Sequence, residues 1–222
     1  MKTLFTVVFT LVFVAAGDVW SQEADASAEI SLDGLELVEK TRRQEIYRAP
    51  GVDWTVYEEV LIDEATVTFR DNWLRDQNRY QTNRIRSEDM ERIQSDMARM
   101  LKKAFSDELV EKGGYRLAAG PGVNVLRIAP HIVDLDVYAP DPRSAPGIQR
   151  SYAETVGRMT LKLKLFDSNS GDPVAAFIDE REAPRRGYLQ WANTVSNNQE
   201  FRIMFKAWAR ELREDLERVR SQ

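Results

Sequence analysis

The side chains that could carry acid–base or metal chemistry are few, and the first of them is a single histidine. His131 is the only histidine among the 222 residues, and cysteine is absent. Thiol catalysis and cysteine-ligated metal are therefore excluded, and a Ser-His-Asp relay would have to use His131. A strand is predicted over residues 123–138, and alternation along it places the His131 side chain on the same face as Val133, Leu135 and Val137. We interpret His131 as a structural or edge residue.

Two aspartates of the same strand are the next candidates. Asp134 and Asp136 share the opposite face by the same alternation, and paired carboxylates can bind a hard cation. Alternatively, Asp134 and Asp136 lie on the solvent-facing side of a half-buried strand, which explains their positions equally well. Pro130 could also introduce a bulge that changes the alternation. No Asx-rich loop surrounds the pair, and we predict no metal site.

Loop motifs point away from a cofactor. The segment DSNSGD, residues 167–172, superficially resembles a calcium loop but lacks the later bidentate glutamate. It is typical of a tight turn between two strands. The glycine-rich stretch GGYRLAAGPG, residues 113–122, precedes a strand, whereas phosphate loops follow a strand and open a helix. We predict no cofactor. Catalysis by carboxylates alone leaves little sequence trace, so the enzyme class stays open, with a non-catalytic protein favoured.

Composition and charge restrict the class of protein. Hydrophobic residues make up 43% of the chain and charged residues 30%, which is typical of a folded domain. The formal net charge of −5 argues against nucleic acid as a partner by bulk electrostatics. Local basic patches remain compatible with this charge.

The first residues have the pattern of an export signal. Lys2 is followed by an apolar run from Leu4 to Ala16, and Val19 and Ser21 suit the positions before a cleavage site. A spanning helix needs about 20 apolar residues, so the run is short for an anchor, although an uncleaved anchor is the alternative. We predict a signal peptide over residues 1–21, an exported protein with no stable membrane span after cleavage, and a periplasmic location in a Gram-negative source.

The remaining elements predict one α+β domain over residues 35–222, after a flexible leader over residues 22–34. Apolar residues at spacings of three and four predict long helices over 87–111, with Ser87 as N-cap, and near 197–220. The fold class is α+β with a mainly antiparallel sheet, the order strand-helix-strand-strand-strand-helix, and both long helices on one face. The strands are predicted at 54–70 (one bent strand or two short ones), 123–138, 154–166 and 174–182.

Several stretches, taken in order, resemble a known family. They are YRAPGVDWTVYEEVLIDEATVTF (47–69), Trp73, DSNSGDPVAAF (167–177), Trp191-Ala192 and FKAWARELREDL (205–216). The sequence resembles the bacterial domain-of-unknown-function family number 3313, many members of which are described as envelope lipoproteins. The resemblance implies export and a single domain, and it brings no established activity. Because this chain has no cysteine, it departs from the lipoprotein members, and we predict no lipid tether.

The best candidate for a binding surface lies where two long loops meet. If the last three strands form a meander, the loops after the first and third strands come together at one end of the sheet. Arginine pairs well with carboxylate and phosphate, and aromatic rings add stacking area. The alternative is that the arginines pair with Asp141, Glu180 and Glu182. The candidate residues are Arg143, Arg150, Arg181, Arg185, Arg186, Tyr188 and Trp191.

Two functions from different classes follow. The first is an exported, non-catalytic envelope protein that binds an envelope protein or an anionic envelope component. The second is a secreted, carboxylate-dependent hydrolase. A carboxylate pair in a deep cleft with one raised pKa would favour the hydrolase, and a shallow charged rim would favour the binding protein.

Overall fold

The computed structural model describes residues 31–79, 84–138, 151–153, 156–183, 190–192 and 194–221. Ten strands and three α-helices fall within these ranges. The strands are β1 Glu36–Lys40, β2 Gln44–Arg48, β3 Glu59–Ile62, β4 Thr66–Phe69, β5 Arg116–Leu117, β6 Val125–Val137, β7 Ser151–Ala153, β8 Gly157–Asp167, β9 Pro173–Glu182 and β10 Gln190–Ala192. The helices are α1 Trp73–Asn78, α2 Ser87–Ser106 and α3 Thr194–Arg220.

Eight strands form one mixed sheet in the order β1-β2-β9-β8-β6-β3-β5, with β4 also pairing with β6. Five neighbouring strands pair antiparallel in the order β1, β2, β9, β8 and β6. Strands β3 and β4 pair parallel with β6, and β5 pairs parallel with β3. The sheet is thus mostly antiparallel, and the α+β class predicted from the sequence is confirmed.

The predicted meander is the centre of this sheet. Strands β6, β8 and β9 pair antiparallel in this order, with the short strand β7 in the connection from β6 to β8. Strands β8 and β9 are joined by the DSNSGD turn. Asp167 Oδ1 accepts hydrogen bonds from the backbone N–H groups of Asn169 and Ser170, and Gly171 has a φ of +80°. These contacts reverse the chain, as the residue types predicted.

The predicted order of elements is incomplete. The hairpin β1–β2, helix α1 and strands β5, β7 and β10 were not predicted, and the segment 54–70 contains two short strands, β3 and β4. All five residues of β1 are exposed, and β5 has two residues, so neither gives the alternation that a half-buried strand needs. Strand β1 pairs with its neighbour β2 in the hairpin, and β5 pairs with the distant strand β3.

A β-bulge at Asp134 corrects the interpretation of His131. Val133 lies opposite Thr160 and Asp136 opposite Arg158, so three steps on β6 match two on β8. Asp134, with a φ of +53°, is the inserted residue. Beyond the bulge the side chains change face. Leu135 and Val137 are therefore in the core, while His131 and Val133 lie on the other face of the sheet.

The two aspartates also lie apart in their environments. Asp134 is exposed, whereas Asp136 is 5% exposed and its Oδ2 lies 2.9 Å from Arg70 Nε. The bulge therefore gives the two aspartates different environments, one exposed and one buried in an ion pair. In the described ranges no group of three or more histidine, aspartate or glutamate residues could hold a metal ion.

Both long helices pack on the same face of the sheet. Helix α2 begins at Ser87, and its N-terminus is capped by Asp89, whose Oδ2 accepts a hydrogen bond from the Arg86 N–H. The predicted N-cap Ser87 is thus the first helical residue. Helix α3 is anchored by Trp208, which is fully buried. None of the helices in the described part of the chain is long and apolar enough to span a membrane.

Candidate functional site

A groove of about 600 Å³ lies between α3, strand β9 and the β1–β2 hairpin. It forms because the hairpin extends the sheet beyond the area that α3 covers. Both ion-pairing and apolar side chains line it. The lining residues are Glu39, Thr41, Arg42, Arg43, Gln44, Ile46, Leu165, Ala175, Ala176, Phe177, Asp179, Glu180, Arg181, Glu182, Glu211, Leu212, Glu214, Asp215 and Arg218.

The inner wall is a buried charge network around Asp179, which is 4% exposed. Asp179 Oδ2 accepts hydrogen bonds from Trp208 Nε1 at 2.5 Å and from Arg181 Nε at 2.6 Å. Arg181 also donates to Glu211 Oε2 at 2.5 Å, and its guanidinium lies 5.2 Å from the Trp208 ring centroid. A buried carboxylate needs such donors, because an unpaired buried charge is costly. Arg181 is therefore part of the packing between β9 and α3.

The outer wall is held by a second ion-pair group. Arg48 on β2 contacts Asp215 on α3 at 2.6 Å, and Asp215 also accepts from Arg218 at 2.6 Å. Ile46 and Phe177 form an apolar floor between the two walls. The groove thus has a fixed shape, with charge on its walls and apolar surface at its base.

The hairpin turn places two arginines at the mouth of the groove. Thr41 Oγ1 accepts hydrogen bonds from the N–H groups of Arg43 and Gln44, which fixes the turn. The side chains of Arg42 and Arg43 are exposed. Neither has an ion pair with the residues that the structure describes. They are the cations of this groove that a partner could pair with, and exposed arginine suits a carboxylate or phosphate.

Among the described residues, the carboxyl groups whose pKa values are shifted have lowered pKa values, whereas a general acid needs a raised one. Hydrogen bonds from backbone N–H groups, mainly that of Ser170, lower the pKa of Asp167, and the Lys112 and Arg213 charges lower that of Glu108 against its burial. The side chains of Thr55 and Arg70 lower the pKa values of Asp53 and Asp76 in the same way. These carboxyl groups are therefore ionised at neutral pH.

The surface predicted at the two long loops is described in part. Strands β7 and β10 pair antiparallel, with Trp191 opposite Tyr152, so the ends of the two loops lie side by side. Arg181 lies in the groove. The other predicted residues, Arg143, Arg150, Arg185, Arg186 and Tyr188, lie outside the described residues.

Arg42 and Arg43 were not singled out from the sequence. The signal that could have found them is the polar run Thr41-Arg42-Arg43 between two short strand-like stretches, which is typical of a hairpin turn. Only the pairing of β2 with β9 shows that this turn projects beside α3.

The sequence matches the family model described as "Protein of unknown function (DUF3313)" over residues 25–212. No curated protein matches the chain. Among solved structures, it is similar to a PelC dodecamer subunit of Paraburkholderia phytofirmans, at 9% identity and a TM-score of 0.39 over 77% of this chain and 97% of the other.

Two further structures show similarity of the same kind. A DUF330 protein of Xanthomonas campestris is 12% identical, with a TM-score of 0.39 over 74% of this chain and 86% of the other. A minor lipoprotein of Acinetobacter baumannii is 11% identical, with a TM-score of 0.31 over 72% and 93%. At these identities and TM-scores, the similarities carry no information about what this chain does.

Proposed function

Because the chain belongs to the DUF3313 family of proteins of unknown function, we propose its role from its own residues: an exported, non-catalytic envelope protein that binds a macromolecular partner carrying anionic groups. Export is supported by the signal pattern of residues 1–21. Binding is supported by the groove beside α3.

One observation carries the binding proposal. Arg48 and Arg181 in the walls of the groove are held in internal ion pairs, while Arg42 and Arg43 at its mouth are exposed. A partner segment could place apolar groups on Ile46 and Phe177 and carboxylates or phosphates beside the two arginines. Exposed ion pairs are individually weak, so an extended contact with a macromolecule suits this site better than a small ion does.

Export has a direct test. If the signal is cleaved after Ser21, the protein purified from its native host begins at or near Gln22, as N-terminal sequencing would show. An intact Met1 on a folded, membrane-bound chain would contradict this prediction. Fractionation of the same cells would then report the location of the mature chain.

The groove is tested by reversing the charge at its mouth. We expect an Arg42→Glu, Arg43→Glu variant to keep its melting temperature, because both side chains are exposed, and to lose capture of the envelope partner by at least tenfold at low salt, where screening is weakest. The measurement is a pull-down from solubilised envelope with the purified protein as bait, over a series of salt concentrations.

The matched control is Lys102→Glu, Lys206→Glu, which changes the net charge equally at exposed positions of α2 and α3. The control should capture the partner like the wild type. Equal capture by the groove variant and the control would exclude the mouth of the groove as the binding surface.

A further inference from the structure

The face of the sheet opposite α2 and α3 carries a basic band. Register places alternate residues of β6 and β8 side by side on this face: Arg127 beside Phe166, and His131 beside Lys162. Lys164 lies between Lys162 and Phe166 along β8. The intervening residues of β8 point into the core and are almost fully buried. We refer to Arg127, His131, Lys162, Lys164 and Phe166 as the basic band.

Contacts within the band hold its side chains on the surface. The guanidinium of Arg127 and the ammonium group of Lys164 lie 5.7 Å and 5.6 Å from the centroid of the Phe166 ring. Thr66 Oγ1 is hydrogen bonded to His131 Nδ1 at 2.7 Å. Arg127 is paired with Asp63, at 2.8 Å, yet its side chain keeps 48% of its exposure. On this face of the sheet, Arg127 is therefore exposed, and His131, Lys162, Lys164 and Phe166 are partly exposed.

The shape of this surface selects the kind of ligand. Strand residues on one face repeat about every 7 Å, and neighbouring strands lie about 5 Å apart, so the band is long, narrow and flat. Acidic residues border it: Glu45 on β2 lies beyond Ile178, and Glu180 on β9 lies opposite Thr160, the next residue of β8 on this face after Lys162. A planar anionic membrane would meet these carboxylates as well, whereas a linear polymer can follow β8 alone.

We propose that the basic band binds a linear acidic polysaccharide, with its carboxylates beside Lys162, Lys164 and Arg127. The choice of a polysaccharide rests on the proposed export. An exported protein leaves the compartment that contains nucleic acid, the other common linear polyanion. Ammonium groups bind carboxylates as point charges, which tolerates the variable spacing of a flexible polymer. Phe166, with Arg127 and Lys164 over its ring, keeps these two cations on the face that the polymer would contact.

The direct test uses purified protein and polygalacturonate, a linear polymer of uronic acid. We expect binding that weakens steeply with salt, and a loss of at least tenfold in affinity for a Lys162→Glu, Lys164→Glu variant. A Lys162→Gln, Lys164→Gln variant should show a smaller loss and guards against misfolding of the charge reversal. The exposed Lys102→Glu, Lys206→Glu variant is the control and should bind like the wild type. Melting temperatures report the folding of each variant.

The single histidine offers a second readout at the site itself. Burial lowers the pKa of His131, and the Lys164 and Lys162 charges lower it further, against the opposing charge of Asp63. A bound polyanion favours the imidazolium, so polygalacturonate should raise the pKa of His131, measured from its one imidazole NMR signal. The Arg42→Glu, Arg43→Glu variant should show the same rise.

Several outcomes would overturn the proposal. They are equal binding by the Lys162/Lys164 variants and the control, equal binding to uncharged dextran, or no binding of polygalacturonate by the wild type at low salt. Binding only to phosphatidylglycerol vesicles would assign the band to a membrane surface instead. The two surfaces are independent if the Arg42→Glu, Arg43→Glu variant loses partner capture but still binds polygalacturonate. They are also independent if the Lys162→Glu, Lys164→Glu variant loses polygalacturonate binding but still captures the partner.

Discussion

Replacing Trp208 with alanine is expected to lower the free energy of unfolding by ~3–5 kcal/mol, the range for truncation of a large buried aromatic residue. Trp208 is fully buried and stacks with Phe205 at a centroid distance of 6.0 Å. Its Nε1 also donates to Asp179 Oδ2, so the truncation removes a hydrogen-bond donor from a buried carboxylate. Urea denaturation with a constant m-value would measure the loss.

Two substitutions separate the causes. Trp208→Phe keeps most of the ring but removes the N–H, and we expect it to cost ~1–3 kcal/mol through Asp179. Ile203→Ala, at a 53% exposed position of the same helix, should change stability by less than about 0.5 kcal/mol. If Trp208→Ala were as stable as Ile203→Ala and instead lost partner capture, this stripe of α3 would be an interface.

Replacing Gly157 with alanine is the second change expected to have a large effect, a loss of roughly 3 kcal/mol or more. Gly157 begins β8 with a φ of +148°, a backbone conformation that residues with a Cβ rarely adopt. A Cβ there would lie 2.2 Å from the backbone oxygen of Asp136. Because Asp136 pairs with Arg158 and Val137 with Gly157, relieving this contact would require a shift within the pairing of β6 with β8.

Gly171→Ala is the matched control for this prediction. Gly171 also has a positive φ, +80°, but open space surrounds the position of a Cβ. We expect a loss of only ~1–2 kcal/mol from the backbone conformation. Thermal unfolding of both variants would measure the difference, and equal losses would show that the contact with Asp136 relaxes without cost.

The elements that the sequence predicted well are those whose periodicity reflects burial. The stripe of α3, from Phe201 to Val219, and the alternation of β8 both follow from facing one core. The hairpin β1–β2 has no such pattern, because β1 is exposed along its whole length. The bulge at Asp134 left no clear sequence signal either, and one inserted residue was enough to place His131 on the wrong face.

The candidate site was predictable only in fragments. Arg181 was identified, but as an exposed cation for a partner, because nothing local to it indicates that Asp179 and Glu211 would surround it. The bond between Trp208 and Asp179 joins residues 29 positions apart, and the groove depends on β2 meeting β9. Such contacts are set by the topology of the sheet, which the residue pattern of one strand does not specify.

The pairing of β2 with β9 has a consequence for how the chain can fold. Strand β2 can pair with β1 as soon as the hairpin has been synthesised, but its pairing with β9 needs Gln44 to meet Asp179, after most of the chain has followed. Strand β3 likewise can pair with β6 only after β6 has been synthesised. Contacts of such long sequence separation form slowly, since the intervening loop must be closed first. The β2–β9 and β3–β6 pairings are therefore expected to form late in folding, after the local hairpins β1–β2 and β8–β9.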